Sequence, residues 1–92
     1  MKQPTIYFLT NKAKTVLYIG VTSNLEQRLD QHKTSEEGSF TRKYNTDILV
    51  YIENYPKMEE AIAREKQLKK WRREKKNALI DCINPGWKDL RE

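Results

Sequence analysis

Two short runs of β-branched and aromatic residues near the N-terminus commit this chain to begin as a β-hairpin. Thr5-Ile6-Tyr7-Phe8-Leu9-Thr10 and Thr15-Val16-Leu17-Tyr18-Ile19-Gly20 carry side chains that suit a pleated, half-buried surface. The polar or small residues Asn11-Lys12-Ala13-Lys14 separate them, a fitting hairpin loop. Pairing Thr10 with Thr15 sets Tyr7 directly opposite Tyr18. Opposed residues share one sheet face, with Cβ atoms about 4.5–5.5 Å apart. A register change of one residue would break that arrangement.

The remaining pattern supplies one more strand and three helices. Ser23 with Glu26 three residues on reads as a capping box, and Leu25 and Leu29 give the helix behind it an apolar stripe. Arg28 and His32 are four apart and therefore neighbours on one helix face. A polar loop runs from Thr34 to Asn45. Asp47-Ile48-Leu49-Val50-Tyr51-Ile52-Glu53 is a third strand, apolar enough to predict burial on both faces. From Lys57 the period turns helical, with Met58, Ala61, Ile62, Leu68 and Trp71 on one stripe. A break near Trp71 and a second helix through Leu79 and Ile80 follow, before Asn84-Pro85-Gly86-Trp87 forces a turn. Strand, strand, helix, strand, helix, helix is an α+β order. At 92 residues, two domains would each be too small to bury a core, so residues 1–92 are expected to form one.

Composition narrows the partners. Eighteen Lys and Arg against thirteen Asp and Glu give a net charge of +5, which suits a polyanionic partner without identifying it. Cys82 is the only cysteine, so no intramolecular disulfide forms and a reduced, cytoplasmic compartment is expected. No apolar run approaches the roughly 20 residues of a membrane span. A single histidine excludes a multi-histidine metal site, and the chain has no P-loop, zinc spacing, serine triad or dinucleotide turn.

Several residues invite a chemical reading beside a plain one. Glu65 falls four after Ala61 and three before Leu68, on the stripe that faces the core, where an unpaired carboxylate is costly. It is either an inward salt bridge to Arg28, an edge position reaching solvent, or a metal ligand at the bottom of a cleft. Arg28 and His32 are either solvated surface or a phosphate clamp with a proton carrier. Tyr7 and Tyr18 suit an ordinary cross-strand aromatic pair as well as catalysis. Arg64, Lys66, Lys69, Lys70, Arg72, Arg73, Lys75 and Lys76 place eight cations in thirteen residues, either a solvated helix face or a surface for a phosphate backbone. Trp71 within that run is a core anchor or a stacking platform for a base.

Taken together and in order, Thr5-Ile6-Tyr7, Tyr18-Ile19-Gly20, Arg28 with His32, Glu65 within Ala61-Ile62-Ala63-Arg64-Glu65, and Asn84 resemble the motif set of the GIY-YIG nuclease superfamily. The likeness runs from about Thr5 to Leu90, and Tyr18 through Leu25 looks like the small stand-alone members, as does Asn84 through Leu90. It implies a small three-stranded antiparallel sheet flanked by helices, with the active site on one sheet face. It implies that Glu65 binds one divalent ion, Mg²⁺ or Mn²⁺, and that Arg28 stabilises charge on the scissile phosphate. One of Tyr7 and Tyr18 would help deprotonate the attacking water, His32 would assist proton movement, Asn84 would fix geometry near the site, and Gly20 belongs to the structural motif. Two positions depart from the pattern. Thr5 stands where the family has glycine, and Val21 where some members carry lysine, a cation that Arg42 or Lys43 could supply instead.

The function implied is metal-dependent endonucleolytic hydrolysis of phosphodiester bonds in DNA, branched or damaged structures included. The alternatives are a catalytically weak nucleic-acid-binding module of the same fold and a partner-interaction protein with a solvated basic helix. Arg42, Lys43, Lys66, Lys69, Lys70, Arg72, Arg73 and Lys76 are the expected nucleic-acid contacts. No membrane partner is expected, and a separate targeting protein is compatible with so small a chain.

Overall fold

In the computed structural model, residues 3–34, 46 and 48–91 are described, residues 31–34 by their backbone alone. Strands β1 (Thr5–Thr10), β2 (Leu17–Thr22) and β3 (Ile48–Asn54) form one antiparallel sheet in the order β2-β1-β3. Helix α1 (Leu25–Thr34) follows β2, and α2 (Met58–Lys69) and α3 (Arg73–Ile83) follow β3. This is the expected α+β architecture, with the helical break at residues 70–72. There Lys70 N–H bonds Gln67 O and Trp71 N–H bonds Leu68 O, each at 3.1 Å, closing α2 with a tightened last turn.

The hairpin register differs from the expected one. Tyr7 faces Gly20, and Tyr18 faces Leu9. Thr15 and Val16 belong to the loop, because side chains outcompete the ladder for their backbone groups. Asn11 Oδ1 accepts from the N–H groups of Thr15 and Val16 at 2.9 and 3.2 Å, and Thr10 Oγ1 donates to Val16 O at 2.8 Å. The slip is of two residues, so it preserves the facing. Tyr7 and Tyr18 remain on one side of the sheet as diagonal neighbours, ring centroids 6.0 Å apart. The helix start also moves. Asn24, not Ser23, caps α1, its Oδ1 accepting from Gln27 N–H at 3.3 Å. Thr22 Oγ1 in turn accepts from Asn24 N–H at 3.1 Å, fixing the turn between strand and helix.

The sheet is buried on both faces. Ile6, Phe8, Ile19, Val50 and Tyr51 pack with Ala61 and Leu68 of α2 and Ile80 of α3. Tyr7, Leu9 and Leu49 pack on the opposite face with Leu29 of α1. Two consecutive β3 residues, Val50 and Tyr51, share the α2–α3 side because β3 carries a bulge. Phe8 faces Tyr51 while Leu9 faces Leu49, so Val50 is the extra residue. Its carbonyl accepts from Asn84 Nδ2 at 3.0 Å, and Leu49 O accepts from Leu90 N–H at 2.7 Å. The C-terminal turn thereby covers part of β3's outer edge, an edge otherwise open to pairing with other chains. Among the described residues no helix is long and apolar enough to cross a membrane.

One polar cluster fastens α2 to β3. Arg64 grips Glu53 with Nε to Oε1 at 3.1 Å and Nη2 to Oε2 at 3.3 Å, a forked charge-assisted pair. The hydroxyls of Tyr51 and Tyr55 donate to the same carboxylate. Burial alone would raise the Glu53 pKa, but the Arg64, Tyr51 and Tyr55 donors outweigh it and hold the carboxyl below its ordinary 4.5. A carboxylate depressed on folding adds stability that is complete above 4.5 and is lost as pH falls through the folded-state value. Glu53→Gln is expected to cost about 2 kcal/mol at neutral pH and to flatten the acid limb of stability. Urea unfolding of both proteins at neutral and acid pH measures it; an unchanged acid limb would mean that other carboxylates dominate.

Candidate active site

Three of the expected residues meet on the α1 face. Tyr7 is the central one. Its register partner is Gly20, and a Cβ built there would overlap Tyr7 Cζ and its hydroxyl. The ring therefore occupies the space that any other side chain at position 20 would need. Packed between β2, Leu29 and the neighbouring tyrosine, Tyr7 is 0% exposed. Its hydroxyl accepts a hydrogen bond from Arg28 Nε at 3.2 Å. Arg28 reaches it from the first turn of α1, whose start is set by the Asn24 cap. Tyr18 lies alongside, half-buried.

The electrostatics follow from this burial. Desolvation pushes the Tyr7 phenol well above its ordinary pKa, the Arg28 hydrogen bond pulls it back only in part, and the Tyr18 phenol adds to the rise. Tyr7 is thus a neutral phenol at physiological pH. The hydrogen bond with Tyr7 in turn raises the pKa of Arg28, a guanidinium that is charged at any physiological pH in either case.

Glu65 sits on the inward stripe of α2 as its spacing requires, with its side chain only 15% exposed. Its ion pair is with Lys69 at 3.5 Å, one turn along the same helix, and not with Arg28. The physical reason is topological: Arg28 is drawn to Tyr7 on the α1 face, while the buried residues of α2 lie against the other face. α2 packs chiefly along β2, the edge strand that also carries Tyr18 and Gly20. Asn84 stands elsewhere. Its Nδ2 donates to Val50 O and Lys88 O at 3.0 and 2.9 Å, and its Oδ1 accepts from Lys88 N–H at 3.1 Å. Its side chain braces the C-terminal turn against β3. His32 lies on α1 with its side chain outside the described residues, as are Arg42 and Lys43 altogether.

The basic run divides. Lys66, Lys69, Lys70 and Arg72 are exposed, and Lys76 is half-exposed. Arg64 is held by Glu53, and both its guanidinium and the Lys75 ammonium lie over the Trp71 ring, 5.1 and 4.1 Å from its centroid. Trp71 is half-buried against the core, so of its two readings it serves as an anchor. Arg73 donates to two loop carbonyls. The Arg73 contacts escape a reading of spacing, because they join α3 to a loop 58 and 59 residues away, and the Glu53 cluster escapes it because its partners come from a strand and a helix whose periods differ. The one available signal was Tyr51 and Glu53 alternating on a strand face otherwise apolar.

These motifs, their sheet and their helices match a known catalytic fold. The GIY-YIG catalytic domain matches residues 3–77, and the chain belongs to that nuclease family. Within it, the relatives are UPF0213 proteins. That of Bacillus pumilus is 33% identical over 82 residues, covering 88% of this chain and 84% of the relative. That of Syntrophus aciditrophicus is 35% identical over 81 residues, covering 87% and 92%. The solution NMR structure of a UPF0213 protein from Bacillus halodurans superposes with a TM-score of 0.61 at 25% identity, over 95% of this chain and 92% of that one. Family membership makes nucleic acid the substrate class.

The Tyr7–Gly20 contact yields a direct expectation. Gly20→Ala should destabilise the fold by about 1–3 kcal/mol and displace the Tyr7 ring from Arg28. Thermal unfolding with the NMR shifts of the Tyr7 ring measures both; an alanine variant with unmoved Tyr7 resonances would show that the sheet absorbs the methyl without moving the phenol.

Proposed function

We propose that this chain is a divalent-metal-dependent endonuclease that hydrolyses phosphodiester bonds in DNA. The observation that carries the reading is the Arg28 guanidinium held on the buried Tyr7 phenol beside half-exposed Tyr18. A fixed cation of this kind suits the charge that develops on a phosphate under attack.

The donor chemistry of Glu65 fits a magnesium-type ion. A lone, mostly buried carboxylate suits a hard cation that keeps several waters and completes its shell with substrate phosphate oxygens. The Lys69 ammonium at 3.5 Å marks the position as one that accepts positive charge. When bound, the metal would supply Lewis acidity to the phosphate and lower the pKa of a water. Glu65 would be a protein ligand of that ion.

The two tyrosines divide the work by burial. Tyr7 is shut off from solvent and held protonated, so it orients Arg28 and does not act as a base. Tyr18 can meet water, and it would orient the attacking molecule and accept its hydrogen bond. Arg28 binds the scissile phosphate, and His32, one turn further along α1, would move a proton at the leaving oxygen. Lys66, Lys69, Lys70, Arg72 and Lys76, with Arg42 and Lys43, would contact the backbone. Such contacts position without reading sequence, so selectivity would follow DNA shape, branched or damaged forms included, or a targeting protein.

Incubating the protein with branched, nicked and duplex DNA, and with RNA, in Mg²⁺ or Mn²⁺ tests the activity. Glu65→Gln should fold and lose about a thousandfold or more in rate, the equivalent of several kcal/mol of lost transition-state stabilisation. Tyr18→Phe should lose more activity than Tyr7→Phe. A folded Glu65→Gln protein that still cuts would overturn the mechanism. Binding without cutting by the unaltered protein would favour a catalytically weak binding module.

A further inference from the structure

We propose that Arg73 is a positioning residue for the active site, which locks the β1–β2 loop and so sets where β2 presents Tyr18. This rests on the nuclease reading above. By charge and by place in the run, Arg73 looks like one more phosphate contact, but its guanidinium is already engaged. Nη2 donates to Lys14 O at 2.8 Å and Nη1 to Thr15 O at 3.1 Å, while Nε donates to Asn77 Oδ1 at 2.9 Å. One planar fork thus holds two successive carbonyls across 58 and 59 residues of sequence, and a fellow α3 residue fixes its orientation.

The loop is built to receive that fork. Lys14 adopts φ 59°, a left-handed conformation uncommon for a residue with a side chain. Asn11 braces the same turn from within, Oδ1 to Thr15 and Val16 N–H, and Nδ2 to Thr15 Oγ1 at 2.8 Å. Asn11 sets the shape of the loop; Arg73 sets where that shape sits relative to α3. α3 is a firm base, since Ile80 is fully buried in the core. Thr15 lies three residues before Tyr18, at the entry to β2. Movement of the loop is therefore passed to the tyrosine that faces water, and a displacement of about 1 Å at a reacting group can cost a hundredfold in rate.

Lysine keeps the charge but cannot reproduce the fork, so Arg73→Lys and Arg73→Gln separate positioning from phosphate binding. Both variants should lower kcat about tenfold with KM within about twofold, as loss of geometry and not of binding predicts. Both should speed amide hydrogen exchange from Thr15 to Tyr18 about tenfold or more while leaving β3 unchanged. Neither should alter the salt slope of DNA binding, whereas Arg72→Gln at the exposed neighbour should reduce it by about one. The proposal is overturned if Arg73→Lys matches the unaltered protein in turnover and exchange while Arg73→Gln loses a unit of salt slope. Should the unaltered protein cut no substrate, the nuclease reading fails separately and the exchange measurement decides alone: unchanged exchange in both variants overturns the clamp. If Arg73→Gln does not fold, Arg73→Lys carries the same comparison.

Discussion

A phenol ring occupies space over a strand position that has no side chain. Any Cβ at residue 20 would overlap Tyr7, so the β1–β2 register and the glycine are a single constraint. Much of the α1 face follows from it. With the ring at 0% exposure, the hydroxyl is cut off from solvent and needs a protein partner. Arg28 supplies it from α1, and that helix is therefore held by a polar tip as well as by Leu29. The same burial raises the phenol's pKa, so the hydroxyl keeps its proton and meets the cation through an oxygen lone pair. A chain that buried this tyrosine less completely would leave Arg28 to find its own rotamer.

How much of this was readable depends on whether the cause was local. The order of elements followed from period and propensity, and the break near Trp71 from loss of the helical stripe. The hairpin register did not follow, because Thr10 and Asn11 side chains compete for backbone groups that a count of loop residues assigns to the ladder. The facing of Tyr7 and Tyr18 survived since the slip was even. The helix cap lies one residue beyond Ser23 for a similar reason: Thr22 holds the turn and Asn24 takes the cap. Glu65 was legible as an inward carboxylate, but its ion-pair partner was not, since which sheet face each helix covers is a property of the topology. The bulge at Val50 has no glycine or proline to announce it, and its partner Asn84 is 34 residues away.

The basic run shows why composition alone misleads. Its arginines are drawn into the architecture: Arg64 grips a carboxylate and Arg73 grips two carbonyls, both through planar forks that satisfy several acceptors at once. Lys66, Lys69 and Lys70 stay exposed, and Lys75 rests its ammonium on Trp71. The lysine ammonium is a strongly hydrated point charge that stays in water even where its stem packs, so the exposed cations of the run are mostly those least able to recognise geometry. Only Arg72 combines exposure with a fork. A surface of that kind attracts a phosphate backbone without preferring a sequence. The firmly held side chains lie elsewhere, with Tyr18 and Arg28 gathered at Tyr7 on the α1 face and Glu65 on α2. Under the nuclease reading, charge would then act mainly to bring the nucleic acid near, and shape and access would decide what is cut.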